Sequence, residues 1–538
     1  MVNFAENSPC FTCTFSVRDI CAIIAGFALI THAVFNRFEP LNPFIVVPLL
    51  LLLPLTMSLL FLHHFTLLYA ATLAFMIFHS TLLCSIGTYR LSPFHPLAHY
   101  SGPVLNKLSS WWLYKITTGG KRYEFIQRLH RHYKSHVVRI GPNEISISDP
   151  AAVVSLLGPN GLSKGPAWDG HVRYSPIRPL IALRDSHPHS KARRPWTRAF
   201  SAVAMKEYEP TLAERVVQLV DLAMSSHGTG QTVDMARLFR LFSYDFMNDM
   251  AFGGGMDLMR NGDTQGMVSL MDRALEALAI SESIPWLTRY VPNVSHSFQS
   301  ESALRAQARV RSGPTAGKKD VFYYLSNEDE AEERSPDPIS VAIQAFLVIV
   351  AGSDTTFSTL KVDKYYPPGE SALNSTFHAE MSYLDAVVNE TLRLYPILPS
   401  GGQRATKEQG VQVNSIYIPP YTSVRIHQWT MLRDPCNFSP HSESFWPERW
   451  LIAQDPSSFK AEFIHNADAF HPFSYGPANC AGRALAIKEL KMVLCHMLQQ
   501  IDVAFADGYD PAEWEKNLRD PFTLQTGPLP VLVTARDR

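Results

Sequence analysis

The sequence has no excess of charge of either sign. Its 538 residues include 48 Lys and Arg against 49 Asp and Glu, so the net charge is −1. Proteins that bind nucleic acids are usually basic, and this balance argues against such a partner. Only seven cysteines are present, which is sparse and odd for a disulfide framework and favours a reducing compartment. The sequence also lacks a Gly-x-Gly-x-x-Gly loop in a strand–helix unit, so we do not expect it to bind a dinucleotide itself.

Charged residues are absent altogether from Pro43 to Ile86. A membrane-spanning helix needs roughly 20 apolar residues, so this stretch has room for two, at Pro43–Leu62 and Phe65–Ile86. A weaker apolar run, Ile20–Phe35, is either a third span or an interfacial helix. We therefore predict that residues 1–90 form a membrane anchor with two or three transmembrane helices.

The sequence after the last span is basic and then rich in proline. Basic residues are concentrated there, which favours a cytosolic position for the rest of the chain: Arg90, Lys107, Lys115, Lys121 and Arg122. Pro93, Pro96 and Pro103 rule out a continuous helix, so residues 91–103 are predicted to be a stiff connector. Residues 104–538 are predicted to form one large body.

The hydrophobic periodicity of this body is mainly helical, and the predicted fold is mostly α with small peripheral β-sheets. Helices are expected at Leu212–Ser225, Ser340–Leu360, Glu380–Leu394 and Gly482–Leu498. Strands are expected at His136–Ile140, Ile145–Ile147, Val411–Ile418, Ser423–His427 and Val531–Val533. Residues Ser312–Pro338 are polar and punctuated by proline and glycine, so they are expected to form a surface connection.

The most specific motif surrounds Cys480, just before the last long helix. A cysteine at a helix N-terminus meets unpaired amides and the positive end of the dipole, which favour the thiolate. Gly476 permits a turn that a Cβ would obstruct, and Gly482 permits close approach to the helix start. Together with Phe473, these residues match the pattern Phe-x-x-Gly-x-x-x-Cys-x-Gly.

In this motif the chain resembles the cytochrome P450 superfamily of heme-thiolate monooxygenases, and its anchor and proline-rich connector resemble those of microsomal fungal-type members. The resemblance implies a heme cofactor with Cys480 as the axial iron ligand, surrounded by Phe473, Gly476 and Gly482. A thiolate ligand pushes electron density onto the iron and favours O–O cleavage.

A second motif is Glu390-Thr-Leu-Arg393, whose two charges lie on one helix face. By itself it is also typical of an ordinary solvated ion pair. The family has a later Pro-Glu-Arg segment, matched here by Pro447-Glu448-Arg449, whose arginine completes a buried cluster. The resemblance therefore implies a structural role for Glu390, Arg393 and Arg449.

A third motif, Ala351-Gly352-Ser353-Asp354-Thr355-Thr356, lies within a long apolar helix. Small Gly352 and the Thr355 hydroxyl are expected to form a local groove, and an acid in such a helix is costly unless it is used. The resemblance implies that O2 binds here, with Asp354 and Thr355 delivering protons as catalytic residues. A simple helix-packing notch is the alternative.

Two arginines are candidates for the carboxylates of a heme, because Arg suits bidentate contact. His189-Ser-Lys-Ala-Arg193 resembles the family's Trp-x-x-x-Arg segment, although Arg194 and Arg198 are competing choices. Arg404 lies where the family often has a second propionate arginine. Ala478 departs from the pattern, because the family usually has Arg or His there, so one contact is missing or is replaced elsewhere.

The chain also departs from the family after Leu360, where roughly two dozen residues are expected to be missing and apolar surface to be exposed. The predicted function is a monooxygenase that inserts one atom of O2 into an apolar small molecule, a terpenoid, fatty acid or other secondary metabolite. Electrons would come from NADPH-cytochrome P450 reductase, and the enzyme would lie in the endoplasmic reticulum membrane with its catalytic domain cytosolic. The alternative is a catalytically impaired or non-oxygenating heme-thiolate protein.

Overall fold

A computed structural model describes residues 15–38, 42–170, 177–264, 266–285, 304–311, 313, 319–352 and 371–536. The chain divides into two compact units, Met1–His99 and Tyr100–Arg538. The sequence-based boundaries of anchor, connector and catalytic domain remain predictions.

The N-terminal unit contains three helices that are long and apolar enough to cross a membrane: Val17–Phe38, Pro43–His63 and Leu67–Leu91. The weak first run is thus a full-length helix. The middle helix is irregular, with a π-helical turn at Pro48–Leu52 and a 3₁₀ turn at Leu59–His63. Proline at position 48 explains this in part, since it lacks the amide for a regular helix.

The three helices of this unit pack through small and aromatic side chains. Ala28, Ala70 and Ala74 are fully buried together with Phe61 and Phe78. Small residues allow transmembrane helices to approach closely, so these contacts suit a bundle within a bilayer.

The second unit is mostly helical, and four long helices surround its main hydrophobic core: Ala202–Met224, Met235–Phe252, Pro338–Gly352 and Arg483–Gln500. The other described helices span Val104–Leu108, Ser110–Thr118, Arg122–Tyr133, Ala152–Leu157, Ala167–Gly170, Ser186–Ala199, Leu258–Asn261, Met267–Ser283, Val321–Leu325, Ser382–Leu394, Gln428–Met431, Glu448–Ile452 and Ala512–Lys516.

The strands of this unit are short and form small sheets. They are β1 Val137–Gly141, β2 Glu144–Ile147, β3 Ser163–Lys164, β4 Val233–Asp234, β5 Arg404–Ala405, β6 Val411–Val413, β7 Ile416–Ile418, β8 Ser423–Ile426, β9 Phe438–Ser439, β10 Ile464–His465, β11 Ile501–Phe505 and β12 Pro530–Ala535. The largest sheet has the order β1-β2-β8-β5-β3, in which only the β2–β8 pair is parallel. A second sheet has the order β11-β12-β4, and the remaining strands form the pairs β6–β7 and β9–β10.

Two sequence predictions about this unit are wrong. Val411–Ile418 is not one strand but the hairpin β6–β7, because Asn414 takes a left-handed conformation (φ 51°) and turns the chain. Part of Ser312–Pro338 is not a surface connection, because Val321, Phe322 and Leu325 form a short buried helix. The Asp320 carboxylate accepts a hydrogen bond from the Tyr323 amide at the start of that helix.

Candidate active site

The loop from Phe473 to Gly482 is held by its own backbone. The Cys480 amide donates to the Phe473 carbonyl at 2.9 Å, and the Asn479 amide donates to the Gly476 carbonyl at 3.1 Å. Gly476 has φ +72°, and a Cβ there would lie 2.2 Å from the Leu157 carbonyl oxygen. The loop therefore requires glycine at position 476, as the motif predicts.

The Cys480 side chain is accessible to solvent, yet the surrounding protein is dense enough to change its acidity. Burial raises the pKa of the thiol above its usual range, against the opposing effects of the Gly482 and Arg483 amides and of the Arg193 and Arg483 charges. The amides at the helix start thus favour the thiolate, as the sequence predicts, while burial acts in the opposite direction and is the larger effect. Amides and cations directed at a desolvated sulfur do suit an atom that becomes anionic when it binds a metal ion.

Phe473 and Gly482 flank the sulfur in different ways. The Phe473 ring lies 5.6 Å from the Arg483 guanidinium carbon and packs against the hydrophobic cluster around Leu490 and Leu494. A Cβ on Gly482 would be 3.7 Å from the nearest described atom, on the Phe200 ring, which is ordinary contact. Packing within the described protein therefore does not require glycine at position 482.

Of the three arginines considered on the helix Ser186–Ala199, Arg193 reaches the cysteine loop. It donates two hydrogen bonds to Asn479, one to the carbonyl and one to the side-chain oxygen, both at 2.6 Å. Arg194 is exposed, and Arg198 is bound by Asp329 and Glu332. Asn479 was not singled out by the sequence, although it directly precedes the cysteine.

Arg404 belongs to a cluster of basic side chains that the sequence did not reveal. It lies directly opposite Lys164 in the β3–β5 pair and donates to the Leu162 carbonyl at 3.2 Å. Burial lowers the pKa of Lys164 to about 7, with the charges of Arg404 and Arg193 adding to the effect. Burial and the same three cations lower the pKa of His189 to about 4. Lys164, His189, Arg193 and Arg404, the basic cluster, thus lie near one another, with Arg193 also influencing Cys480.

The Glu390 cluster is buried and compact. Glu390, Arg393 and Arg449 have fully buried side chains, and the Glu390 carboxylate accepts hydrogen bonds from both arginines at 2.8–3.1 Å. The Trp446 amide and the Trp450 indole also donate to it, at 2.9 and 3.0 Å. Burial raises the pKa of Glu390, but hydrogen bonds and charges from its partners together hold it below its usual range.

The helix Pro338–Gly352 carries the third motif only in part. A Cβ on Gly352 would lie 2.1 Å from the Met247 sulfur, so this glycine provides a close contact between two helices. The predicted catalytic residues Asp354 and Thr355, and the departure after Leu360, lie outside the described residues.

Comparison with known proteins agrees with this fold. The family model for cytochrome P450 matches residues 103–363 and 368–533. The chain therefore belongs to the cytochrome P450 family, whose members are oxidoreductases that use a heme iron to incorporate oxygen.

Similar proteins are fungal monooxygenases of the same family. Cytochrome P450 monooxygenase FCK2 of Fusarium pseudograminearum is 32% identical over 486 residues, which cover 85% of each chain. Cytochrome P450 monooxygenase orf5 of Eupenicillium brefeldianum is 30% identical over 85% of this chain and 94% of its own. Tryprostatin B 6-hydroxylase of Aspergillus fumigatus is 29% identical over 85% of this chain and 83% of its own.

Proposed function

We propose that this protein is a membrane-anchored monooxygenase that inserts one oxygen atom from O2 into an apolar secondary metabolite. The proposal rests mainly on the surroundings of the Cys480 sulfur. This sulfur accepts hydrogen bonds from the backbone amides of Gly482 and Arg483, and it lies near Arg193 of the basic cluster. The name of one relative, a tryprostatin B hydroxylase, supports oxygenation of a secondary metabolite as the reaction class.

The residues of this chain fit a heme. A thiolate-bound heme supplies O2 activation and O–O cleavage, which protein side chains cannot perform. Cys480 would bind the heme iron through its sulfur, and the Gly482 and Arg483 amides would stabilise the negative charge of that sulfur as hydrogen-bond donors. Arg193 and Arg404 would hold the heme carboxylates, since both are cations without a carboxylate partner in the described chain.

The remaining predicted residues act around this centre. Asp354 and Thr355 would hold the protons that O2 activation consumes and pass them on. Glu390, Arg393 and Arg449 would fix the segment Pro440–Trp450 against the helix Ser382–Leu394, because the arginines also donate to four carbonyls of that segment. They therefore act through structure and do not contact the substrate.

Electrons would come from NADPH-cytochrome P450 reductase, with the catalytic unit on the cytosolic side of the endoplasmic reticulum membrane. This placement is supported by Arg37 and Arg90, which lie at the ends of the first and third apolar helices. With three spans these two cations lie on the same side of the bilayer, as the positive-inside tendency requires. The alternative of an impaired or non-oxygenating protein is not favoured by the relatives, which are named as monooxygenases or hydroxylases.

The proposal is tested by the spectrum of the reduced protein with carbon monoxide. We expect a strongly red-shifted Soret band in the wild type, its loss in Cys480→Ser, and its retention in Cys436→Ser, which changes an exposed free cysteine. Isotopically labelled O2, with the reductase and NADPH, should then label the product. A red-shifted band that survives in Cys480→Ser would contradict the assignment of the ligand.

A further inference from the structure

One acid lies on the buried side of the cysteine helix, Arg483–Gln500. Glu489 is nine residues after Cys480, and only 7% of it is exposed. Its neighbours one turn away on this helix are apolar and belong to the main hydrophobic core: Leu485, Met492 and Val493. Glu489 therefore occupies a position at which the periodicity of the helix calls for an apolar residue.

The surroundings of Glu489 offer little to a negative charge. Its carboxyl group accepts one hydrogen bond among the described residues, from the Ser243 hydroxyl at 3.4 Å, and no described cation forms an ion pair with it. The charged groups on the elements packed around it are engaged elsewhere: Lys488 with Glu209, Lys491 with Asp385, Arg240 with Asp272, and Asp245 with the Leu258 and Met259 amides. An unpaired buried carboxylate is costly, so these surroundings favour the neutral acid.

The acidity of Glu489 agrees with this geometry. Burial raises its pKa to about 8, against a smaller opposing effect of the Ser243 hydrogen bond. The folded-state pKa therefore lies above that of an unperturbed Glu, about 4.3. The stability that the neutral acid provides is complete below that unperturbed value and is lost as the pH rises through the folded-state pKa.

Ser243 links this acid to the helix that carries the third motif. Met247 follows Ser243 by one turn on the helix Met235–Phe252, and its sulfur packs against Gly352 of the third motif. Two contacts one turn apart thus join the cysteine helix to the helix on which O2 activation is expected. Because protein interiors are close-packed, a shift of the cysteine helix away from Ser243 would also move Cys480.

We propose that Glu489 is a positioning residue, which holds the cysteine helix against the helix Met235–Phe252 as a neutral acid and releases it on ionisation. This inference rests on the proposed heme-binding function, because the position of the helix start determines whether the Cys480 sulfur stays bonded to the iron. Loss of that bond in alkali should then follow the ionisation of Glu489.

The test follows the carbon monoxide spectrum of the reduced full-length protein from neutral to alkaline pH. In the wild type the red-shifted band should give way to an unshifted band as Glu489 ionises. Glu489→Gln keeps the size and the hydrogen-bonding capacity of the side chain but cannot ionise, so the pH of half-conversion should rise by at least about one unit. Glu209→Gln, which removes a partly exposed carboxylate bound to the same helix, should keep the wild-type profile. Equal profiles for the wild type and Glu489→Gln would overturn the proposal.

Infrared spectroscopy detects the proton itself and does not require that Glu489→Gln retain heme. The difference between the spectra of the wild type and Glu489→Gln at pH 7 should contain the carbonyl stretch of a protonated carboxylic acid. In the wild type that signal should disappear over the same pH range as the red-shifted band. Its absence at pH 7, or its loss at a pH unrelated to the spectral conversion, would also overturn the proposal. Absence of the red-shifted band from the wild type at neutral pH would instead contradict the proposed function itself.

Discussion

Gly476 and Gly482 belong to one motif, but the surrounding protein constrains them differently. Gly476 combines a left-handed backbone with a position at which a Cβ would meet the Leu157 carbonyl oxygen at 2.2 Å. Gly482 has an ordinary backbone, and among the described residues the atom nearest to an added Cβ lies 3.7 Å away. The fold therefore requires glycine at position 476. Glycine at position 482 is not required by the described protein, and we expect it to leave room for the group that binds at the start of the cysteine helix.

This difference predicts opposite outcomes for two matched substitutions. Gly476→Ala should lose roughly 1–3 kcal/mol of stability from backbone strain, and more from the clash with Leu157. Gly482→Ala should leave the stability of the heme-free protein near that of the wild type and reduce heme content. Thermal unfolding in detergent, followed by circular dichroism, measures the first effect, and heme absorbance measures the second. Equal destabilisation by the two variants would contradict this account.

The site features that could be predicted from sequence are those that depend on residues close together in the chain. The turn at Gly476 and the cysteine at a helix start each depend on a few neighbouring residues, so a short motif predicts them. The position of Lys164 beside Arg404 could not be predicted in this way, because it arises from the pairing of strands β3 and β5, which are far apart in the sequence. The amides at the helix start favour the Cys480 thiolate, as predicted, whereas the larger opposing effect of burial could not be read from the local motif.

A buried ion cluster connects the helix Ser382–Leu394 to the segment Pro440–Trp450. Two fully buried arginines share the single Glu390 carboxylate, and they also donate to backbone carbonyls. A buried ion cluster is a weak source of net stability when complete, but removing one partner leaves uncompensated charge in the interior. The cluster therefore fixes the position of this segment, and removal of one of its charges is expected to cause a large loss of stability.

Glu390→Gln should consequently destabilise the protein by about 3–5 kcal/mol. Glu448→Gln is the matched control, because it neutralises a carboxylate whose one hydrogen bond, accepted from the Tyr383 hydroxyl, is exposed, and it should cost less than about 1 kcal/mol. Denaturant unfolding at neutral pH measures both values. If Glu390→Gln and Glu448→Gln were equally stable, the cluster would contribute little to the stability of the protein.

The pH dependence of the same comparison has a definite sign. The pKa of Glu390 lies below its usual value in the folded protein. The contribution of its ionised carboxylate to the free energy of unfolding is therefore complete above about pH 4.3, the pKa of an unperturbed Glu. This stabilising contribution is lost as the pH falls through the lower pKa that Glu390 has in the folded protein. The difference in stability between the wild type and Glu390→Gln should therefore narrow only in acid, and a difference that shrinks near neutral pH would contradict this assignment.

Elements with strong local signals were predicted well, and those that depend on tertiary contacts were not. The helices at Ser382–Leu394 and Arg483–Gln500 agree with their apolar periodicity to within two residues. The helix Val321–Leu325 was missed because its surroundings are polar, yet Asp320 starts it and the buried ion pair of Asp320 with Arg309 holds it in place.

The whole molecule combines an apolar three-helix unit with a large catalytic unit. The uncharged stretch predicted two spans, while the first helix remained ambiguous from sequence because Arg18, Asp19 and Arg37 limit its apolar length. In the structure it is 22 residues long and packs Ile20, Ile24 and Ala28 against the other two helices. Its His32 side chain also forms a 2.7 Å hydrogen bond with Ser85 on the third helix, a contact that favours an inserted first helix over an interfacial one.

Three inserted helices predict the side of the membrane for each terminus. With the catalytic unit cytosolic, an odd number of spans places the N-terminus in the lumen. In sealed microsomes, protease should remove an epitope tag at the C-terminus and spare one at the N-terminus, and both should be digested after detergent is added. Digestion of the N-terminal tag before detergent would indicate two spans, with the helix Val17–Phe38 lying outside the bilayer core. Protection of the C-terminal tag would contradict a cytosolic catalytic unit, and with it access of a cytosolic reductase to the site around Cys480.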